Sequence, residues 1–288
     1  MLGHAGAPHD DLSLLTSWTF DPLAVIAIAV AAFLYYRRAR TLARRGAPVA
    51  AWRRVSFGLG LGLLALALFS PLDAWGEEQF FFVHMVQHVL LGEVAPLAIV
   101  AGLTGPLLRP LLAYRVVQRL RVLAHPLIAW PLWAVNLYLW HLPFLYEAAL
   151  GNDAVHAAEH VAFFTAGALF WAPVLEPLPA PRWFGSGAKL LYIVAARFTG
   201  MVLANILAWA DDPIYDEYVH DVARYGISAS ADQGIAGSTM MVVDSVITIA
   251  AIAWLFLKLA GESERRQQLI EAGADPEAAA RVVRYGRG

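Results

Sequence analysis

Seven apolar stretches, each near the length needed to cross a bilayer, constrain this chain more than any other feature. A hydrocarbon core about 30 Å thick takes roughly 20 residues of helix. The stretches run near residues 22–36, 55–72, 80–103, 126–145, 154–175, 188–210 and 234–259. With 59% hydrophobic and only 15% charged residues, the chain as a whole agrees with a membrane as its solvent. Only helices and closed barrels satisfy their backbone in lipid, and runs of this length are helical. The expectation is therefore an all-α membrane protein, a bundle of seven transmembrane helices over residues 1–260, followed by a cytoplasmic tail over 261–288. The first 36 residues contain no Lys or Arg. A secretory signal opens on basic residues, so the first apolar run is read as a retained span.

The charges orient the bundle. All but two of the 21 basic residues fall in alternate connections or beyond the last span: Arg37 to Arg54 in the first, Arg109 to Arg121 in the third, Arg182 and Lys189 in the fifth, and Lys258 to Arg287 at the end. The exceptions are Arg224, in the sixth connection, and Arg197, inside the sixth span. Connections rich in Lys and Arg stay in the cytoplasm, which puts the N-terminus outside and the C-terminus inside. The even connections are acidic, with Asp73, Glu77 and Glu78, then Glu147 and Asp153, then six carboxylates between Asp211 and Asp232. Residues 110–123 place Arg115 and Arg119 four apart among apolar residues, as an interfacial amphipathic helix does. Asp211-Asp212-Pro213 reads as a helix cap opening an outer segment with Tyr215, Tyr218 and His220.

Within this apolar frame the histidines stand out. His84 and His88 open the third span, His156 and His160 open the fifth, and His141 closes the fourth. Residues four apart share one helix face, about 6 Å apart at a rise of about 1.5 Å per residue. Each HxxxH pair therefore presents two imidazoles side by side, and the spans' directions put all five in one layer near the outer surface. One membrane-embedded histidine is most simply a hydrogen-bonding residue between helices. Five at one depth point instead to a ligand or proton site, because ionisable groups in a bilayer are costly. Glu159 and Glu93 lie close enough to orient an imidazole. Met240 and Met241 reach the depth of the deeper histidines, although filling the core is their plainer role. His4, His9 and His220 lie in outer segments and read as solvated, and His125 lies at the opposite boundary. Arg197 and Asp244 read as a structural pair on neighbouring spans.

The chain has no cysteine, so any metal must use imidazole, thioether or carboxylate. Thioether with imidazole suits copper(I), whereas imidazole with carboxylate suits zinc or copper(II). Histidines on facing helices can also ligate haem. A membrane zinc hydrolase with Glu159 as base is a further reading, and so is a copper transporter, which would carry ligands along the whole path.

The stretch His84-Met85-Val86-Gln87-His88 with Ala95-Pro96, then Leu139-Trp140-His141-Leu142-Pro143, His156 to His160 with Phe170-Trp171, and Asp232-Gln233 with Met240 resembles the bacterial seven-helix CtaG family of cytochrome c oxidase assembly factors. The likeness covers about residues 80–241; Met241 stands where the family pattern has an aromatic residue. The family is distinct from the single-span copper chaperone of the same name, which uses cysteines. The resemblance implies a multi-pass protein of the bacterial plasma (inner) membrane that is not itself an enzyme. It implies that copper is held or delivered; the shared depth of the histidines puts that metal at His84, His88, His156 and His160 together, with His141 as a fifth ligand or a supporting neighbour and Met240 as a further candidate. The partners expected are cytochrome c oxidase subunits, an extracytoplasmic copper chaperone and the lipid bilayer, with no nucleic acid.

Overall fold

A computed structural model describes residues 17–215, 218 and 222–285. His4, His9, His220, Asp216, Glu217 and Asp221 lie outside the described residues. The described residues form helices and no strand: α1 (Pro22–Arg44), α2 (Ala51–Phe69), α3 (Leu72–Glu78), α4 (Phe81–Gly102), α5 (Pro126–Trp140), α6 (Pro143–Leu150), α7 (Asp153–Leu175), α8 (Ser186–Trp209), α9 (Ala229–Glu271) and α10 (Pro276–Tyr285), with short turns of helix between α4 and α5 and at Val222–Tyr225. Six of these (α1, α2, α4, α7, α8 and α9) are each long and apolar enough to cross a membrane.

The fourth apolar stretch behaves differently from the expected span over 126–145. Its helix stops at Trp140, and Pro143 starts the separate α6. Pro143 disfavours helical geometry in the residue before it and cannot donate a backbone hydrogen bond, so the chain turns at His141 and Leu142. At 15 residues, α5 reaches the length of a span only together with Arg115–Ala124, to which it is bent by 76°. The expected amphipathic helix over 110–123 is likewise broken into a 3₁₀ turn at Leu111–Ala113, a short helix at Arg115–Leu120 and another 3₁₀ turn at Arg121–Ala124. At the far end α9 continues without interruption to Glu271.

Both helices that carry HxxxH pairs are secured at each end. At the N-terminus of α4 the Asp232 carboxylate accepts from the Phe81 and Phe82 amides at 2.8 and 3.1 Å. Asn152 does the same for α7, accepting from Ala154 and Val155. These caps satisfy amides that have no partner within the helix, and the Asp232 charge opposes the positive end of the helix dipole. At the C-terminus of α4, Arg53 donates to the Ala101 and Leu103 carbonyls at 2.8 Å, while Lys189 donates to Val174 near the end of α7. Cations on terminal carbonyls are the matching arrangement. Lys189 also pairs with Glu176, which stands in the left-handed conformation at φ 52°.

What brings the two helices together is a pair of glycines. Between Leu90 and Val94, α4 widens into one π-helical turn. Pro96 offers no N–H to the Gly92 carbonyl, and Gly167 of α7 lies directly against that carbonyl. A Cβ at Gly167 would stand 1.9 Å from Gly92 O and 3.1 Å from Pro96 Cγ. Without side chains the two backbones meet, as small residues permit at helix crossings in membranes.

This contact yields a stability prediction. Gly167→Ala forces α7 away from α4 and lowers the thermal midpoint in detergent by the equivalent of about 1–3 kcal/mol, the usual range for overpacking. Gly62→Ala, whose Cβ meets nothing within 4 Å, leaves the midpoint essentially unchanged.

Candidate metal centre

Above the glycine contact the four imidazoles of α4 and α7 close into a ring. The centroid separations are 4.2 Å for His84–His88, 5.7 Å for His88–His160, 4.1 Å for His160–His156 and 5.6 Å for His156–His84. His84, His88 and His156 are buried, and His160 is partly so. None is presented broadly to lipid.

The tightest grouping of ligand atoms differs in one member from that ring. His84, His88, His156 and Glu159 each offer one atom, and these atoms all lie within 4.8 Å of one another. His160 borders this group through the rings of His88 and His156 without joining it. Glu159 is fully buried, with its Oε2 3.8 Å from His88 Nε2. It was expected to orient an imidazole from outside; the structure places it among them. Glu93, given the same expected role, accepts a hydrogen bond from the Trp133 indole at 3.2 Å and touches no imidazole nitrogen. Glu93 is taken up by Trp133 of α5, and both line the cavity that His88 also borders.

His141 and Met240 line a common cavity of about 60 Å³ that adjoins the ring and whose wall also includes His88 and Met85. Phe163 is the shared neighbour, its ring 4.6 Å from His88 and 6.1 Å from His141. Arg197 pairs with Asp244 as expected and adds a hydrogen bond to Ser245 Oγ at 2.7 Å.

Two tautomers are set by local hydrogen bonds. His156 Nδ1 pairs with the Glu77 carboxylate, and its Nε2 is buried with no hydrogen-bond partner. His141 Nδ1 lies 2.7 Å from the Leu137 carbonyl, and its Nε2 is likewise buried without a partner. Because a carbonyl only accepts, Nδ1 of His141 carries the proton and Nε2 keeps its lone pair. A hydrogen bond on one ring nitrogen is the ordinary way a protein prepares the other for a metal. Among the described residues, both ring nitrogens of His84 and His88, Nε2 of His160 and both Glu159 oxygens are also buried with no hydrogen-bond partner. Groups of this kind in a low-dielectric interior are rarely left unsatisfied. Their convergence therefore fits a bound cation.

A roof of aromatic residues covers the ring. Tyr146, Tyr215 and Tyr218 are buried; Tyr218 donates to the Gly76 carbonyl at 2.7 Å, and Tyr215 donates to the His141 carbonyl at 2.8 Å. Residues 211–213, expected to cap a helix, form a bend instead, and Tyr215 and Tyr218 turn inward. Tyr146, Glu77, Gly76 and Asp232 carry no ligand pattern in the sequence. The only signal available for Glu77 was its place in an acidic connection. A Cβ on Gly76 would fall 2.9 Å from His84 Cα, so glycine is what lets α3 cross above the first histidine.

The family model described as cytochrome c oxidase caa3 assembly factor matches residues 33–262. This chain belongs to that family. The match spans the ring, the cavity and the roof, and it carries the expectation drawn from the motifs beyond residues 80–241. Two uncharacterized proteins, from Mycobacterium bovis and Mycobacterium tuberculosis, are each 27% identical to this chain over 185 residues, covering 59% of the chain and 28% of their own length. The chain thus spans under a third of the length of the curated relatives it matches. No solved structure matches it.

The helix α3 supplies a pH prediction. Asp73 accepts from Gln87 at 2.6 Å and from Thr19 at 3.0 Å, yet burial, with the neighbouring Glu77 charge, pushes its carboxyl up to about 6. The folded state then binds the proton more tightly than the unfolded state, so this group stabilises the fold most at low pH. Its contribution is lost as pH rises from about 4 to 6. Thermal melts of wild type and Asp73→Asn across that window should diverge: wild type loses stability relative to the variant as pH rises, and the difference is flat above it.

Proposed function

We propose that this member of the caa3 assembly family holds copper at the ring of imidazoles on α4 and α7 and hands it on during maturation of a cytochrome c oxidase. The observation that carries the reading is the convergence of His84, His88, His156 and Glu159, with buried donor atoms that nothing else in the described protein engages. His160 is a further ligand or a neighbour that tunes the set. Copper here is cargo. Oxidase subunits receive it, and an extracytoplasmic copper chaperone supplies it.

The orientation drawn from the basic connections places this end of the bundle outside the bacterial plasma membrane, with the segment beyond residue 260 in the cytoplasm. That side suits the task, since Glu77, partly exposed and paired with His156, stands between solvent and the ring. A carboxylate at the mouth attracts a cation and, through Nδ1, directs the lone pair of His156 Nε2 inward. Three imidazoles and one carboxylate suit copper(II) or zinc equally well. The thioethers of Met85 and Met240, which line the adjoining cavity, favour copper. A porphyrin does not fit here, because the space adjoining the ring is about 60 Å³ and the roof is filled by tyrosines.

Elemental analysis of the purified protein tests the site. Wild type is expected to carry stoichiometric copper, and His84→Ala with His156→Ala is expected to carry background levels. Equal metal in both removes the proposal. In cells that lack the native protein, the double variant should fail to restore oxidase activity.

Glu77→Gln gives a graded outcome. It keeps the shape but weakens the hold on His156 Nδ1, and losses of such supporting carboxylates cost about 10- to 100-fold in metal affinity. Competition titration against a metal chelator measures this directly, and an unchanged affinity would detach Glu77 from the site.

A further inference from the structure

Beside the ring, the cavity of about 60 Å³ presents donors of a different kind. Met85 comes from α4, one residue after His84 and therefore turned toward a different side of that helix. Met240 comes from α9, and His141 stands at the turn after α5. All three line the cavity, and His88 belongs both to its wall and to the ring. Two carboxylates also reach the wall, but each is engaged: Glu93 accepts from Trp133, and Asp244 pairs with Arg197. Apart from the Asn136 amide, the remaining donors on the wall are neutral and soft: two thioethers and the Nε2 of His141, which is buried without a hydrogen-bond partner among the described residues.

We infer that this cavity is a second metal site, selective for a monovalent soft ion such as copper(I), with Met85, Met240 and His141 as donors and His88 shared with the outer group. The inference rests on the reading of the protein as a copper carrier and adds a position and an oxidation state to it. Thioether and imidazole select copper(I) over divalent first-row ions, which favour the harder set that includes Glu159. Charge points the same way. The cost of desolvating an ion grows with the square of its charge, so a site of neutral ligands away from solvent favours a single positive charge over two. Size also agrees, because about 60 Å³ admits a bare ion or a few waters. Filling space explains a buried methionine, but it does not explain two of them lining one cavity with a histidine whose proton is fixed on the far nitrogen.

Full-length protein in detergent, kept anaerobic and loaded with copper(I), tests this by copper X-ray absorption and by competition against a colorimetric copper(I) chelator. Zinc uptake is measured in parallel. Wild type is expected to show sulfur neighbours to copper. Met85→Leu with Met240→Leu should lose that signal and lower copper(I) affinity by about tenfold or more, the scale seen when a metal's supporting groups are removed, while zinc uptake through His156 and Glu159 persists. A wild-type spectrum without sulfur overturns the inference whether or not the variants fold, and so does sulfur scattering that survives in the double variant. If zinc or copper(II) binds but copper(I) finds no sulfur, only the second site fails. If no metal binds at all, the proposed function fails with it.

Discussion

Gly167 lying against the Gly92 carbonyl is the contact on which the rest of the site depends. Lipid gives helices little hydrophobic reason to associate, so close approach of backbones must supply the packing. Here the approach lies one turn below His88 and about two turns below His160. At that spacing the two HxxxH faces above it meet with ring centroids 4.1 to 5.7 Å apart. Pro96 contributes by leaving the Gly92 carbonyl without its usual helical partner. Glu93, within the π-helical turn, bonds to Trp133 and is not among the grouped ligand atoms.

The ends of the helices complete this arrangement electrostatically. A bilayer offers no water to satisfy terminal amides and carbonyls, so each must find a partner within the protein. Asp232 reaches from α9 to the start of α4, Asn152 caps α7, and Arg53 and Lys189 hold the opposite ends. These partners fix the axial position of each HxxxH pair, and the glycines fix their separation. With both set, the lone pairs of the imidazoles are directed by small local bonds: Glu77 on His156 and the Leu137 carbonyl on His141. The outcome is two adjoining sets of donors that share His88: a carboxylate and imidazoles in one, imidazoles and thioethers around the cavity beside it.

Much of this was legible in the sequence because a bilayer makes length and polarity unusually informative. Apolar runs long enough to span must be helices, HxxxH must share a helix face, and the pairing of Arg197 with Asp244 follows from the cost of leaving either alone. The interruption after Trp140 was also written in the chain, as Leu142-Pro143, but hydropathy averaged across it and extended the span to residue 145. Glu159 and Glu93 looked alike beside their histidines. Only one joined them: Glu159 lies three residues after His156 on the same helix face, whereas Glu93 lies five after His88 and is taken up by Trp133 of α5, a partner distant in the chain.

By itself the sequence determined that this chain is a helical membrane protein of the caa3 assembly family with histidines gathered at one end, because the local geometry of a helix and the length of a span leave few other solutions. The tertiary structure decided which of those histidines share a centre, that Glu159 stands among them, that Glu77 and Leu137 set two tautomers, and that His141 and Met240 belong with Met85 around a separate cavity. Those outcomes turn on contacts between residues distant in the chain. Such contacts depend on how closely and at what rotation two helices pack, and here that was set by two glycines without side chains.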